Sequence, residues 1–450
     1  MTSTDTGQES PRPSRFRVMT AGVIGNTLEW YDFAIFGFLA PYITSAFFPD
    51  SDAMAGMIKT FGIFAVGYLM RPLGAFVFGH IGDRIGRRQA LFLSILLMAV
   101  PTFLVGLLPG YETLGILAPI LLLVLRLLQG LSVGGEFAAS ITFVSELAAN
   151  HRRGLLGSLT VLGAIGGFIL GSGVSELVTV VIGEEALADW GWRVPFLLGL
   201  LLAAAGLLMR RSLPHSETFK SDAMAHDSTP HPVIDVCVNQ WRRLLTLASI
   251  VFMQGVGFYM IFIWLPIYLE KMIAREQTQP LLLNTIALVV LMGAIVASGW
   301  ISDRIGRKPV LIVAAALLAA AGWPLFGMLQ HGSIGAVFGV MAGFAVIIGS
   351  AQGPTPAMMA ELFPTRSRLT GIGIGYNVTQ AVAGGTAPAF CTWLIMSTGM
   401  NASPAIYLII SALIGLVGAM FLTESRGRSL EVDPTAAGST HPPCERKSAQ

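Results

Sequence analysis

Six ionisable side chains lie inside strongly apolar stretches of this chain of 450 residues: Glu29, Asp32, Arg71, Arg126, Glu136 and Glu176. A charge in hydrocarbon costs several kcal/mol, so such residues are read first as working groups. Glu29 and Asp32 are three residues apart and share one face of a helix. Neighbouring buried carboxylates resist double ionisation, which suits a group that takes up and releases a proton. Asp32 is the preferred carrier over Glu29, because Arg71 lies at a similar depth to Glu29 and would keep that carboxylate charged. The alternative is a static Glu29–Arg71 pair that only holds helices together. Glu136 joins Asp32 and Glu29 as a candidate for proton coupling. Arg126 and Gln129 share a face of their own helix, and a guanidinium grips a carboxylate through two parallel N–H bonds. Arg126, Arg71, Gln129 and Tyr31 are therefore candidate contacts for an anionic group. An equally weighted alternative pairs Arg126 with Glu29, Asp32 or Glu136 and leaves it no substrate. Glu176, near the outer end of its run, reads as a water-facing group.

The elements that carry these residues follow from composition. Hydrophobic residues make up 54%, charged residues 12%, and the mean hydropathy is +0.69. Soluble domains are about 25% charged, which argues against a soluble enzyme or a disordered chain. A net charge of +2 with no basic stripe argues against a nucleic-acid partner. Cys237, Cys391 and Cys444 are too scattered for disulfides or a metal pair, so no metal and no cofactor are expected.

A span needs about 20 apolar residues. Twelve runs qualify: 18–47, 56–81, 89–109, 114–147, 154–182, 192–210, 243–269, 281–302, 309–329, 334–361, 370–398 and 404–423. They are continuous rather than alternating, which means helices and not a barrel. The first run is too long and too acidic for a signal peptide. Lys and Arg set the orientation. With the N-terminus cytoplasmic, the outer segments hold only Lys59, Arg193, Lys271 and Arg275; Arg71 and Arg126 lie within runs, and the rest of the 28 fall inside. The expected organisation is a cytoplasmic N-terminal tail (1–17), a six-helix half (18–210), a cytoplasmic linker (211–242), a second six-helix half (243–423) and a disordered cytoplasmic tail (424–450).

The halves resemble each other. GHIGDRIGRR at 79–88 and GWISDRIGRK at 299–308 agree at seven of ten positions, at an offset of 220. Ser145-Glu146-Leu147 with Arg152 and Arg153 returns as Ala360-Glu361-Leu362 with Arg366 and Arg368, at an offset of 215. A duplicated helical unit is the mark of a rocking transporter with its site at the midplane. The loops supply candidate gating groups: Gly79, Asp83, Arg84, Gly86, Arg87 and Arg88 in the first, Asp303, Arg304, Gly306 and Arg307 in the second. Asp83 and Asp303 are placed to meet an arginine or a helix N-terminus across that face; the plainer alternative is a basic topology anchor. The second half offers polar rather than charged groups to a substrate, chiefly Gln254, Tyr259, Gln352 and Asn377, with Trp264 and Gln380 beside them.

The repeated loops resemble the signature loop of the major facilitator superfamily. Gly25-Asn26-Thr27-Leu28-Glu29-Trp30-Tyr31-Asp32-Phe33 is similar to the first-helix signature of its metabolite:proton symporter family. Arg71-Pro72-Leu73-Gly74, Arg126-Leu127-Leu128-Gln129-Gly130 with Gly134-Gly135-Glu136, Trp190-Gly191-Trp192-Arg193 and Glu361-Leu362-Phe363-Pro364 extend the likeness over residues 18–423. The resemblance implies the all-α, twelve-helix fold of that superfamily, alternating access and proton symport. The leading expectation is uptake of a small carboxylate-bearing metabolite by a monomer in a bacterial inner membrane, with the substrate, protons and the lipid bilayer as partners. The second is a zwitterion such as proline or glycine betaine, whose cationic end would want an aromatic cage from Trp30, Tyr31, Tyr259 and Trp264. Drug efflux is disfavoured, because the fifth run reads Gly163-Ala164-Ile165-Gly166-Gly167-Phe168 without a Gly-Pro pair. Nothing has the nucleophile-and-base arrangement of an enzyme.

Overall fold

The computed structural model describes residues 15–84, 87–132, 136–211, 232–271, 280–331 and 333–430. Within these, the side chains of 15–25, 76, 79–80, 82–84, 87–91, 136, 202–203, 205–211, 232, 271 and 330–331 are not described.

Twelve helical segments cross the molecule. In the first half they are α1 (Arg15–Phe38, continued by Ala40–Phe47), α2 (Ala53–Leu69, continued by Arg71–Arg84), α3 (Arg87–Leu107), α4 (Leu117–Ser132 and Glu136–Leu147), α5 (Arg153–Ile182) and α6 (Val194–Arg211). In the second they are α7 (Trp241–Tyr259, through a wide π turn Met260–Trp264, to Leu265–Lys271), α8 (Pro280–Ile305), α9 (Arg307–His331), α10 (Ile334–Gln352 and Thr355–Leu362), α11 (Arg368–Thr398) and α12 (Pro404–Phe421). Among the described residues, eight helices are long and apolar enough on their own to cross a membrane.

Burial is inverted relative to a water-soluble bundle. The outer face of α12 shows Ile410, Leu413, Val417 and Phe421 to its surroundings, while Arg71, Arg126, Arg153 and Arg307 are almost fully buried. Lipid removes the penalty on exposed apolar groups, so polarity collects inside. The seam between the halves runs along α5 against α8 and α2 against α11. Close approach within a half needs glycine: the backbone carbonyl of Gly67 occupies the space a Cβ on Gly130 would take, locking α2 on α4.

One expectation for the polar segments gains detail and one changes. Pro232–Asn239, inside the expected linker, is a helix that buries Val236. Residues 424–430, expected to be disordered, are held against the ends of both halves by hydrogen bonds to Arg307, Arg153 and Arg368. The second segment is polar in composition, but its contacts are made by backbone groups and caps that hydropathy does not register.

Candidate functional site

The buried charges of α1 part company. Asp32 Oδ2 accepts from Arg126 Nη1 at 2.9 Å. Its Oδ1 accepts from Thr102 Oγ1 at 2.7 Å and from Gln129 Nε2 at 2.8 Å. Gln129 Oε1 takes a further bond from Arg126 Nη1 at 3.0 Å. The Arg126 guanidinium carbon lies 3.7 Å from the centre of the Phe36 ring, a cation–π contact. Every member of this network belongs to α1, α3 or α4, so it sits wholly within the first half.

Glu29 turns to a different arginine. Arg71 Nη2 donates to Glu29 Oε1 at 3.3 Å, with both groups buried. The guanidinium lies 5.0 Å from the Trp30 ring centre, 5.4 Å from Tyr68 and 5.9 Å from Phe33. Its Nε and Nη1 are buried and have no hydrogen-bond partner among the described residues. A buried unmatched donor is costly, so each of these N–H groups suits an acceptor on a ligand. This site touches both halves. The Tyr68 hydroxyl meets that of Tyr259 on α7, and Phe168 and Phe258 pack edge-on into the same ring cluster. The rings of Tyr259 and Tyr68 fill the space beside Gly384 and Gly385 of α11, which only a missing side chain allows. Gln380 Oε1, also from α11, is buried without a hydrogen-bond partner among the described residues.

The other expected site residues fall outside these two clusters. The Tyr31 hydroxyl donates to the Pro195 carbonyl of α6 at 2.8 Å, turned away from the seam. Gln254 Nε2 bonds Ala351 O at 2.9 Å and Thr355 Oγ1 at 2.6 Å, tying α7 to α10. Asn377 Nδ2 returns to Gly373 O of its own helix at 2.9 Å. Trp264 donates to Thr392 Oγ1 at 3.0 Å within the second half. Gln352 keeps a buried Oε1 with no hydrogen-bond partner among the described residues. The Glu136 side chain lies outside the described residues. The ground for preferring Asp32 also changes: each acid has an arginine, so a missing arginine no longer separates them. Thr102, Tyr68 and Phe36 are members that sequence reasoning missed; nothing in a lone Thr or Tyr in an apolar run marks it.

A third cluster closes the face that carries the two repeated loops. Asp303 accepts from the backbone N–H groups of Gly154 and Leu155, both at 2.8 Å, so it caps the N-terminus of α5 across the seam. It also accepts from Arg307 Nη1 at 2.8 Å. Glu361 takes Arg153 Nη1 at 2.8 Å and Arg307 Nη2 at 3.2 Å. Arg368 Nη1 reaches Glu146 at 2.7 Å. Arg304 stands apart, stacked 3.4 Å over the Trp300 ring. Gly306 adopts φ +107°, and the Glu424 carboxylate occupies the place of its absent Cβ. There it accepts from the N–H of Arg307 and of Lys308, each at 3.0 Å. Burial alone would raise the Glu424 pKa, but four backbone N–H bonds outweigh it and hold the carboxyl below its ordinary value. Gly79, Asp83, Arg84, Gly86, Arg87 and Arg88 of the first loop lie outside the described side chains.

The comparisons agree with this architecture. The model of the Major Facilitator Superfamily matches residues 22–388 and 274–446. The proline/betaine transporter of Escherichia coli (strain K12) is 33% identical over 430 residues, covering 94% of this chain and 86% of the relative. The ectoine/proline transporter ProP of Corynebacterium glutamicum is 34% identical over 433 residues, covering 93% and 86%. The xylose transporter XylE from E. coli, in a partially occluded inward-open structure, superposes with a TM-score of 0.71 at 19% identity, covering 92% of this chain and 99% of that one. The chain belongs to the Major Facilitator Superfamily and is a secondary transporter of its metabolite:proton symporter family.

Proposed function

We propose that this chain imports a small zwitterionic solute of the proline or betaine kind together with protons, as a monomer working by alternating access. The observation that carries the reading is the buried Glu29–Arg71 pair, walled by Trp30, Tyr68 and Tyr259 at the seam of the halves. Such a pair is neutral overall. A zwitterion exchanges it for two matched pairs without adding net charge to a low-dielectric site, whereas a di- or tricarboxylate would bring uncompensated charge. The substrate carboxylate accepts from Arg71 Nη1. Its cationic nitrogen lies over the rings, with Glu29 as counter-charge. The names of the similar proteins, transporters of proline, betaine and ectoine, support this second expectation over the leading carboxylate one.

Proton coupling is assigned to Asp32. Its network is confined to one half and leaves Glu29 to the substrate. Protonation of Asp32 removes the charge that holds Arg126, Gln129 and Thr102 together, and so loosens α1 from α3 and α4. Residues 18–210 and 243–423 then act as the two rocking bodies. The concentration of Lys and Arg on the loop face supports a cytoplasmic location for it and for both termini, in a bacterial inner membrane.

The test is internal pH in dye-loaded proteoliposomes, with proline, glycine betaine, ectoine, citrate and 2-oxoglutarate added outside in turn. Acidification that needs the protein and follows only the zwitterions is the expected result. Acidification by citrate or 2-oxoglutarate alone would restore the carboxylate reading.

A further inference from the structure

A groove of about 1640 Å³ opens on the outer flank of the second half, between α7, α12 and residues 423–430. It is larger than the roughly 300–1,000 Å³ of a small-ligand pocket, and it shares no residue with the Glu29–Arg71 site. Its wall is apolar and turned outward: Leu245, Ile410, Leu413 and Val417 line it and are exposed. Its mouth is basic, lined by Arg242, Arg243 and Arg428. Among the described residues, none of these three takes part in an ion pair. The acid nearest at hand, Glu361, also lines the groove but is spent on Arg153, Arg307 and the Ser425 hydroxyl. Trp241, half-exposed at the first turn of α7, stands beside Arg242 with its ring 5.4 Å from that guanidinium. A tryptophan at a helix end next to arginines is the signature of the headgroup level of a bilayer.

We propose that this groove binds one anionic glycerophospholipid of the surrounding leaflet, its phosphate on Arg242, Arg243 and Arg428 and an acyl chain along Leu245, Ile410 and Val417. Charge complementarity selects the headgroup, since uncompensated cations facing a leaflet attract anionic lipid. The outward apolar wall selects a lipid over a free anion, because a dissolved phosphate gains nothing from it.

The experiment is native mass spectrometry of the full-length protein, delipidated in neutral detergent, with dioleoylphosphatidylglycerol and dioleoylphosphatidylcholine as probes. The expected result is retained phosphatidylglycerol, weakened about tenfold or more in the triple variant Arg242→Gln, Arg243→Gln, Arg428→Gln. Val417→Trp, which fills the apolar wall, weakens it as well. Arg152→Gln with Arg366→Gln, two exposed arginines elsewhere on the same face, leaves it unchanged. All the substituted positions are exposed or half-exposed, and a thermal melt of each variant checks that it remains folded. Equal retention of the two lipids, or phosphatidylglycerol binding untouched by the triple variant, overturns the proposal. So does full displacement by excess inorganic phosphate, which would make the site one for free anions. Binding that appears only after residues 431–450 are removed would give the groove to the chain's own terminal segment instead.

Discussion

Arg153 and Arg368 are counterparts, and each donates to the glutamate of the opposite half. Arg153 Nη1 reaches Glu361 at 2.8 Å, and Arg368 Nη1 reaches Glu146 at 2.7 Å. Each also sends its Nε to the carbonyl eight residues before it, Ser145 or Ala360. The duplication visible in sequence is thus a two-fold exchange of charges across the seam, self-complementary as in a symmetric dimer.

The two glutamates are not equivalent in weight. The Glu361 side chain is 2% exposed and shared by two arginines, while that of Glu146 is 44% exposed. Removing one partner of a buried pair costs about 3–5 kcal/mol, and an exposed pair is worth about 0–1 kcal/mol. Glu361→Gln is expected to open the loop face and cut transport at least tenfold, and Glu146→Gln to change little. The readout is maleimide labelling of Ala357→Cys, fully buried behind this cluster, in a cysteine-free background. Equal labelling in the two variants would refute the ranking.

Asp32→Asn is expected to abolish proton-driven accumulation while leaving counterflow exchange of substrate at least partly intact. The neutral amide keeps the shape of the network with Thr102, Gln129 and Arg126 but can no longer release a proton. Accumulation that survives the change would remove Asp32 from coupling.

Arg71→Gln should lower kcat/KM for proline about a hundredfold, the loss expected when a buried charge-assisted pair is broken. Glu29→Gln should weaken proline binding as well, since the substrate's cationic end loses its counter-charge. Unchanged binding constants in both variants, measured by calorimetry on purified protein, would place the substrate elsewhere.

Glu424 gives a pH dependence with a definite sign. Its carboxyl is held below the ordinary value of 4.5 by the N–H groups of Arg307, Arg426, Lys308 and Ser425. A group depressed in the folded state lends its full stabilisation above the ordinary value and loses it as pH falls through the lower, folded one. A spin label at Ser429→Cys should keep constant mobility from neutral pH down to about 5 and loosen only below the ordinary glutamate value. In Glu424→Gln the label should be mobile throughout. Loosening already between pH 7 and 6 would contradict the assignment.

The twelve helices were legible because each needs only a continuous apolar run, and a run has no other stable form in lipid. Glu29, Asp32, Arg71 and Arg126 were legible for the same reason, since a charge in such a run stands out. Which acid takes which arginine was not. Glu29 and Asp32 share a helix face, so spacing in the sequence leaves both pairings open. The roles of Gln254 and Asn377 were illegible because an amide bonds a nearby carbonyl as readily as a ligand. Glu424 sits in a stretch of tail composition, and only the left-handed Gly306 beside it creates its place.

Residues 424–430 join the halves through main-chain atoms. The Arg428 carbonyl accepts from Arg153 at 3.2 Å, and the Leu430 carbonyl accepts from Arg368 at 3.2 Å. A tie made by carbonyls is indifferent to the side chains that carry them. What it fixes is spacing: one residue gained or lost between Glu424 and Arg428 would move both acceptors by about 3.5 Å and unhook them together. Selection on this stretch should therefore act on its length and spare most of its letters.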